Sequence, residues 1–382
     1  MKLAIIHNHP IHYKHLLFQE LKKCGLEFKV FFLGEASNIR HEKLALSEHL
    51  YSSEIGFDGP YESAPLHTRV AFTWSSLSNY RPHVVIIGGY HMAECWAAWT
   101  WTQLFRRPAI LWYESNEFDY PRRWYPELLK RIFLRGCERA HVYGASNRAY
   151  LMKLGMPGVA IQIKRAVVNV DLFSTSPSEK SYSSHGRKNL LYVGRLAPEK
   201  NISFLLRALS SAAGTLPTSA LHLTISGSGP LEEQLKKECI ELGIRDLVTF
   251  TGYVPQQELP SVLRNADFLV LPSSREPWGL VSLEAMLCRV PVLISTQCGC
   301  AEDVVTKDTG FKFSPWDEAA ASKLLASLHS IPPQRIAAMG NAAHELASGY
   351  SAQECARRVT QSIFSLAPGD TATPTSETSY PG

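Results

Sequence analysis

Short runs rich in Val, Ile, Leu and Phe recur along the chain, and stretches of helical spacing separate them. In the first half the apolar runs are Lys2 to Ile6, Phe28 to Leu33, His83 to Ile87, Ala109 to Trp112 and Ala140 to Tyr143. In the second half they are Leu190 to Val193, Leu221 to Ser226, Leu247 to Phe250, Asp267 to Leu271, Pro291 to Ser295 and Gly310 to Phe313. Brief apolar runs bounded by polar turns read as strands buried on both faces. Their alternation with helices predicts parallel α/β layers. Between the halves, Ser174 to Lys188 reads STSPSEKSYSSHGRK, a polar, Ser-rich linker.

The expected boundaries follow from this pattern. A first domain covers 1–175, a linker 176–187 and a second domain 188–350. After Trp316 the spacing is helical, and Ser351-Ala352-Gln353-Glu354 has the form of a capping box opening a last helix over 351–367. From Pro368 the chain is Thr, Ser and Pro with little to bury, so 368–382 is expected to be a disordered tail. The halves share a layout and no sequence repeat.

Composition narrows the function classes. Hydrophobic residues make up 45% of the 382, enough for a sizeable core. A net charge of +4 is too small to argue for nucleic acid. The N-terminus, MKLAIIHNHP, has too short an apolar run for a signal peptide, and no run reaches membrane-spanning length. The eight cysteines are scattered, apart from Cys298 and Cys300, and show no zinc-type spacing. They read as reduced thiols, mostly in the core, and the expected location is cytoplasmic.

The most specific chemistry lies in Arg275 to Ala285, REPWGLVSLEA. Glu276 falls in the loop after a strand, and Glu284 falls about two turns into the helix that follows. The first N–H groups of that helix lack intrahelical partners and carry partial positive charge, which suits phosphate. Two carboxylates beside a phosphate site suit hydroxyls, and phosphate with a polyol describes a nucleotide sugar. After the strand ending at Val193, Arg195 and Lys200 flank the turn into the next helix. A guanidinium fork and a point charge together suit a diphosphate. After Ser226, Gly227 and Gly229 would let a ligand approach the backbone closely. Each feature alone is ordinary. Together they all fall at the carboxyl ends of strands, where open parallel sheets bind ligands.

The order Gly-Arg-Leu…Glu-Lys-Asn, Gly-Ser-Gly-Pro and Glu-Pro-Trp-Gly…Glu-Ala resembles the donor-binding half of the retaining family 4 glycosyltransferases over about residues 188 to 305. The resemblance implies an α/β protein of GT-B fold, two Rossmann-like domains with parallel sheets facing a central cleft. It implies that Arg195 and Lys200 hold the donor diphosphate, Glu276 the transferred sugar and Glu284 the ribose. The backbone at Gly279, Leu280 and Val281 would meet the distal phosphate, and the base would lie near Val254. The expected substrates are a UDP- or GDP-sugar and a glycan or lipid-linked acceptor. No cofactor and no metal are expected, because two cations and a helix terminus can stabilise the departing diphosphate. The alternatives are an epimerase or phosphorylase-like enzyme of the same fold, a non-catalytic binder, or glycosylation of a soluble small molecule.

The first half is less explicit. His7-Asn8-His9-Pro10-Ile11-His12-Tyr13 follows the first strand, and His9 is a candidate for the sugar or acceptor side. Gly88-Gly89-Tyr90-His91 places His91 where it would open a helix. Glu114 directly follows a buried strand, where many members of the resembled family have a sugar-contacting histidine. A carboxylate there needs a partner. The choice between His91 and Glu114 stays open at this point. Pro121 to Ala140 is basic and aromatic. It suits either a helix packed on the sheet or one lying on an anionic membrane surface.

Overall fold

The computed structural model describes residues 1–38, 51–119, 124–174, 186–217 and 220–366. Most of the expected linker, residues 121–123 of the basic segment, and the 368–382 tail lie outside them. Strands β1 (Lys2–His7), β2 (Glu27–Phe32), β3 (Ser52–Ile55), β4 (Val84–Ile87), β5 (Ala109–Tyr113), β6 (Arg139–Val142) and β7 (Ile161–Ile163) form one parallel sheet, ordered β3-β2-β1-β4-β5-β6-β7. Strands β8 (Lys188–Val193), β9 (Leu221–Ser226), β10 (Val248–Gly252), β11 (Phe268–Leu271), β12 (Val292–Ser295) and β13 (Gly310–Phe313) form a second, ordered β10-β9-β8-β11-β12-β13. The chain reverses direction across the sheet between β1 and β4, and again between β8 and β11. Such switch points open a crevice at the carboxyl ends of the strands.

The first half contributes helices α1 (His12–Lys23), α2 (Leu66–Tyr80), α3 (Ala93–Leu104), α4 (Trp124–Arg135), α5 (Ala145–Lys153) and α6 (Val170–Ser174). The second contributes α7 (Ile202–Ala213), α8 (Glu232–Glu241), α9 (Leu259–Arg264), α10 (Leu280–Leu287), α11 (Ala301–Val304), α12 (Glu318–Leu328), α13 (Pro333–Ser348) and α14 (Ala352–Phe364). Each sheet is covered on both faces. Ile6, Val85 and Leu111 pack under α3, while Ile5, Ile86 and Ile110 pack under α1. In the second sheet Leu190, Ile225 and Val270 meet α7, and Leu269, Leu271 and Ile294 meet α10.

Two strands escaped the apolar pattern, β3 (SSEI) and β7 (IQI). Both are edge strands with one neighbour, so one side of each needs no apolar cover. Helix α14 follows the second sheet yet packs on the first. Cys355, Ala356, Val359 and Ile363 join Leu17, Phe18 and Leu21 of α1, and Arg139 Nη1 donates to the Ser362 carbonyl at 2.7 Å. Ser351 caps this helix, its Oγ accepting the Glu354 N–H at 3.2 Å. The return arm of a capping box is replaced by ion pairs from the Glu354 carboxylate to Arg357 and Arg358.

Candidate active site

Three strand ends of the second sheet meet at one loop. After β8, the turn Pro198–Lys200 leads to Asn201 in the left-handed region, at φ 56°. The Asn201 amide donates to the Pro272 carbonyl at 3.3 Å and the Pro315 carbonyl at 3.1 Å, tying this loop to the ends of β11 and β13. The Glu199 carbonyl accepts N–H groups from Ser274 and Arg275 at 3.0 and 3.3 Å. Lys200 is thereby brought to Glu276, Nζ to Oε2 2.5 Å, with both side chains largely covered. Arg195 pairs with Glu199 at 2.5 Å and is the more exposed cation, at 57%. The two cations expected to hold a diphosphate thus lie in one loop, each engaged by a carboxylate.

The helix expected at this site is α10. Gly279 precedes it at φ 96°, a conformation that favours glycine. Leu280 and Val281 start the helix half-buried on the same core as Val254. The position of Glu284 needs correction. Because the helix begins at Leu280, Glu284 is its fifth residue, a little over one turn in. The glycines after β9 lie against the β8 loop. A Cβ on Gly227 would come within 1.9 Å of the Gly194 carbonyl oxygen, and one on Gly229 within 2.4 Å of that of Leu196.

Across the cleft, Glu114 directly follows β5, and its partners were invisible in the sequence. Its Oε1 accepts from Lys14 Nζ and from the Tyr143 hydroxyl, the latter at 2.6 Å. Lys14 is 2% exposed and the Glu114 side chain 37%. Burial opposes ionisation of Glu114, but Lys14 and Lys164 outweigh it and hold the carboxyl at about 2. Lys164 is fully buried, with no hydrogen-bond partner for Nζ among the described residues. Its ammonium lies 4.2 Å from the Tyr143 ring centroid and 5.0 Å from that of Trp112. Burial and then repulsion by Lys14 lower its pKa to about 8.

Of the histidines at and after the end of β1, His7 lies within electrostatic reach of Lys14 and Glu114. His9 is buried and stacks on Tyr61, ring centroids 5.7 Å apart. His91 does not open α3, since it precedes Met92, the N-cap residue. Cys298 and Cys300 are buried free thiols, and burial pushes Cys300 up to about 12. Among the described residues no three His, Cys, Asp or Glu side chains gather as they would around a metal ion.

A seam joins the two halves beside these groups. The buried Asn116 amide donates to the carbonyls of Glu276 at 3.2 Å and Pro277 at 3.3 Å. Ser146 Oγ donates to the Gly299 carbonyl at 2.8 Å, and the Ala145 N–H to the Asp303 carboxylate at 3.0 Å. The Tyr143 ring meets Trp278 edge-on, centroids 5.5 Å apart. Asn147 donates to the Glu114 and Ser115 carbonyls at 3.2 and 2.7 Å, fixing the loop after β5. Sequence reasoning missed Lys14, Asn116, Tyr143, Asn147, Lys164 and Asp303. Only Asn116, two positions past Glu114 at a strand end, carried any signal.

Comparison with known proteins gives a family match and a fold. Residues 175–345 match the model of the glycosyl transferases group 1 family. That match covers a little under half of the chain. A GDP-mannose-dependent alpha-(1-6)-phosphatidylinositol monomannoside mannosyltransferase from Mycolicibacterium smegmatis is 31% identical over 196 residues, which is 48% of this chain and 50% of that protein. The chain spans half or less of the length of the curated relatives it matches. Among solved structures, a sucrose-phosphate synthase from Thermosynechococcus elongatus superposes with a TM-score of 0.74 at 21% identity, covering 96% of this chain and 98% of that one. An Anabaena protein in complex with UDP-glucose superposes with a TM-score of 0.70 at 17% identity, covering 96% of this chain and 100% of that one. At these identities the likeness is one of fold, and the fold is GT-B.

The Lys164 pKa sets a pH dependence. Below about 8 the ammonium is charged in both folded and unfolded chains, and its burial cost is fully present. Between about 8 and the ordinary 10.5 the unfolded chain holds a proton that the folded one has released, so this cost is relieved as pH rises. Denaturant unfolding of wild type and Lys164→Met should therefore show the wild type gaining stability relative to the variant over that window. A difference that stays constant with pH would show that Lys164 is not buried as a charge.

Proposed function

We propose that this chain moves a sugar from a nucleoside-diphosphate sugar to a hydroxyl acceptor, with retention of anomeric configuration and without a metal ion. The observation that carries the reading is the gathering of Arg195, Lys200, Glu276 and the N-terminus of α10 at the ends of β8 and β11. An arriving diphosphate exchanges with the carboxylates on the two cations. Lys200 turns from Glu276 to phosphate, and Glu276 is freed to accept hydroxyls of the sugar. The charge that develops as the nucleoside diphosphate departs is met by Arg195, Lys200 and the first N–H groups of α10. The acceptor hydroxyl attacks from the face the diphosphate leaves and gives its proton to the leaving phosphate. Glu284 takes the ribose, and the backbone near Val254 takes the base. The family match of residues 175–345 and the likeness to a UDP-glucose complex support a nucleotide-sugar donor.

The acceptor class is read from α4. Phe133 and Leu134 of this helix pack into the core, so one of its faces is seated on the sheet. Leu128, Leu129 and Ile132 are exposed at 49%, 51% and 39%, alongside exposed Arg131 and Arg135. Leu104 and Phe105, exposed at 65% and 48%, end α3 nearby, where Gln103 bonds the Gly136 carbonyl at 2.9 Å. An apolar strip edged by arginines suits an anionic bilayer surface and a lipid-linked acceptor. Among the described residues no helix is long and apolar enough to cross a membrane.

The donor reading is tested with a panel of UDP- and GDP-sugars in excess chelator, measuring nucleoside diphosphate released with and without acceptor lipid. Release that depends on acceptor is expected for one donor. Lys200→Ala and Arg195→Ala should each lower turnover by about 100-fold or more, the scale for removing one stabiliser of a developing charge. Either variant retaining more than half of normal activity would refute the diphosphate role, and rescue by magnesium would refute metal independence.

Binding of free nucleoside diphosphate separates the two glutamates, because that ligand has a ribose and no sugar. Glu284→Gln should weaken it about tenfold, the loss of one hydrogen bond to a charged group, while Glu276→Gln should leave it within about twofold. The opposite pattern would mean that their roles are exchanged.

Membrane docking predicts co-sedimentation with vesicles containing anionic lipid, released by high salt. Each arginine near such a surface contributes about 1 kcal/mol. Changing Arg106, Arg107, Arg131 and Arg135 to Gln should abolish sedimentation and leave nucleoside-diphosphate binding intact. Wild type that stays in the supernatant at low salt would count against a membrane acceptor.

A further inference from the structure

Glu276 lies on a stretch of backbone that the second half alone does not hold. Within that half the Gly299 N–H donates to the Glu276 carbonyl at 2.9 Å, and the Cys300 N–H to the Trp278 carbonyl at 3.1 Å. The Pro277 carbonyl, between them, takes its donor from across the seam. The Asn116 amide bonds it at 3.3 Å and bonds the Glu276 carbonyl at 3.2 Å.

Asn116 is itself aimed. Its Oδ1 accepts the Phe118 N–H at 2.8 Å and its own N–H donates to Asp119 Oδ2 at 2.8 Å, which turns the amide nitrogen toward Glu276. Asn147 of α5 fixes the same loop through the Glu114 and Ser115 carbonyls, and Ser146, the residue before it, donates to the Gly299 carbonyl. A ring of hydrogen bonds therefore runs from α5 through the Asn116 loop to Glu276 and back through Gly299. Both halves contribute to it. Asn116 is fully buried, so an unpaired amide there would be costly, and the contact is held firmly.

We propose that Asn116 is a positioning residue for Glu276. The first half sets the loop that carries this carboxylate, and the donor site is complete only with the two halves seated against each other. The inference rests on the role given to Glu276 above. The carboxylate is one side chain away from the carbonyl that Asn116 anchors, so a backbone shift at 276 and 277 passes directly to it. A misplacement of about 1 Å in a positioned group costs on the order of 100-fold in rate.

The test is a double-mutant cycle on turnover of the donor selected from the panel of UDP- and GDP-sugars, with binding of free UDP and GDP measured beside it. The proteins are wild type, Asn116→Ala, Glu276→Gln and the double variant. Asn116→Ala should lower turnover by about tenfold or more and leave nucleotide affinity within about twofold. The double variant should be within about twofold of the slower single variant, because both changes act on one carboxylate and such effects do not add. Asn116→Asp keeps the shape of the side chain and, when ionised, turns a negative charge on two carbonyl oxygens. Burial and the neighbouring Asp119 raise the pKa of the new carboxyl. Its turnover relative to wild type should therefore recover as pH falls and the carboxyl regains a proton to donate. This variant carries the test if the alanine variant does not fold. A merely structural role would lower Tm and nucleotide affinity together with turnover and give no recovery at low pH. Losses that multiply in the double variant, Asn116→Ala turnover within about twofold of wild type, or an Asn116→Asp ratio that is flat with pH each overturn the inference while the donor site stands. Wild type that releases no nucleoside diphosphate from any donor defeats the donor-site reading and this inference together.

Discussion

A buried amide ties the two halves together at the cleft, at the centre of a seam that includes the Ser146–Gly299 and Ala145–Asp303 bonds. Asn116 sits in the loop after β5 of the first sheet and bonds two consecutive carbonyls, Glu276 and Pro277, in the loop after β11 of the second. Buried amides and carbonyls are costly without partners, so the contact constrains both loops at once. Glycines make the approach possible. A Cβ on Gly144 would lie 2.2 Å from Asp303 Oδ2, and one on Gly299 would lie 2.0 Å from the Pro277 carbonyl oxygen. The consequence is chemical, because Glu114 and Glu276 each lie within two residues of a partner in this bond. Each half thus supplies one carboxylate beside this contact.

The two carboxylates are held in different ways. Glu276 is paired with Lys200 in the loop after β8, both side chains largely covered. Glu114 is paired with Lys14, whose side chain is 2% exposed. The lysines beneath them differ in burial, 17% exposed at Lys200 and 2% at Lys14.

Much of the fold was legible along the chain, because parallel strands buried on both faces leave continuous apolar runs. Eleven of the strands announce themselves in this way, while β3 and β7 do not, since an edge strand need not be apolar. The donor-side residues were legible for a related reason. Arg195, Lys200, Gly279 and Glu276 lie within a few residues of strand ends, and local sequence carries their spacing. The helix spans Leu280–Leu287 as its spacing indicates, and Glu284, its fifth residue, lies a little over one turn in rather than two. Gly227 and Gly229 lie hard against the loop after β8, a contact between segments about 30 residues apart that local sequence does not carry.

By itself the sequence determined the order of strands and helices, the strand ends that carry charge, and the presence of a carboxylate at 114 that required a partner. Local spacing encodes all of these. Only the tertiary structure decided what that partner is. Lys14 comes from α1, Tyr143 follows β6 and Lys164 follows β7, and they converge on Glu114 because β1, β4, β5, β6 and β7 lie side by side in one sheet. The 100 positions between Lys14 and Glu114 hold no periodic trace of the contact. Pairing across a sheet depends on which strands become neighbours, and that is a property of the folded topology.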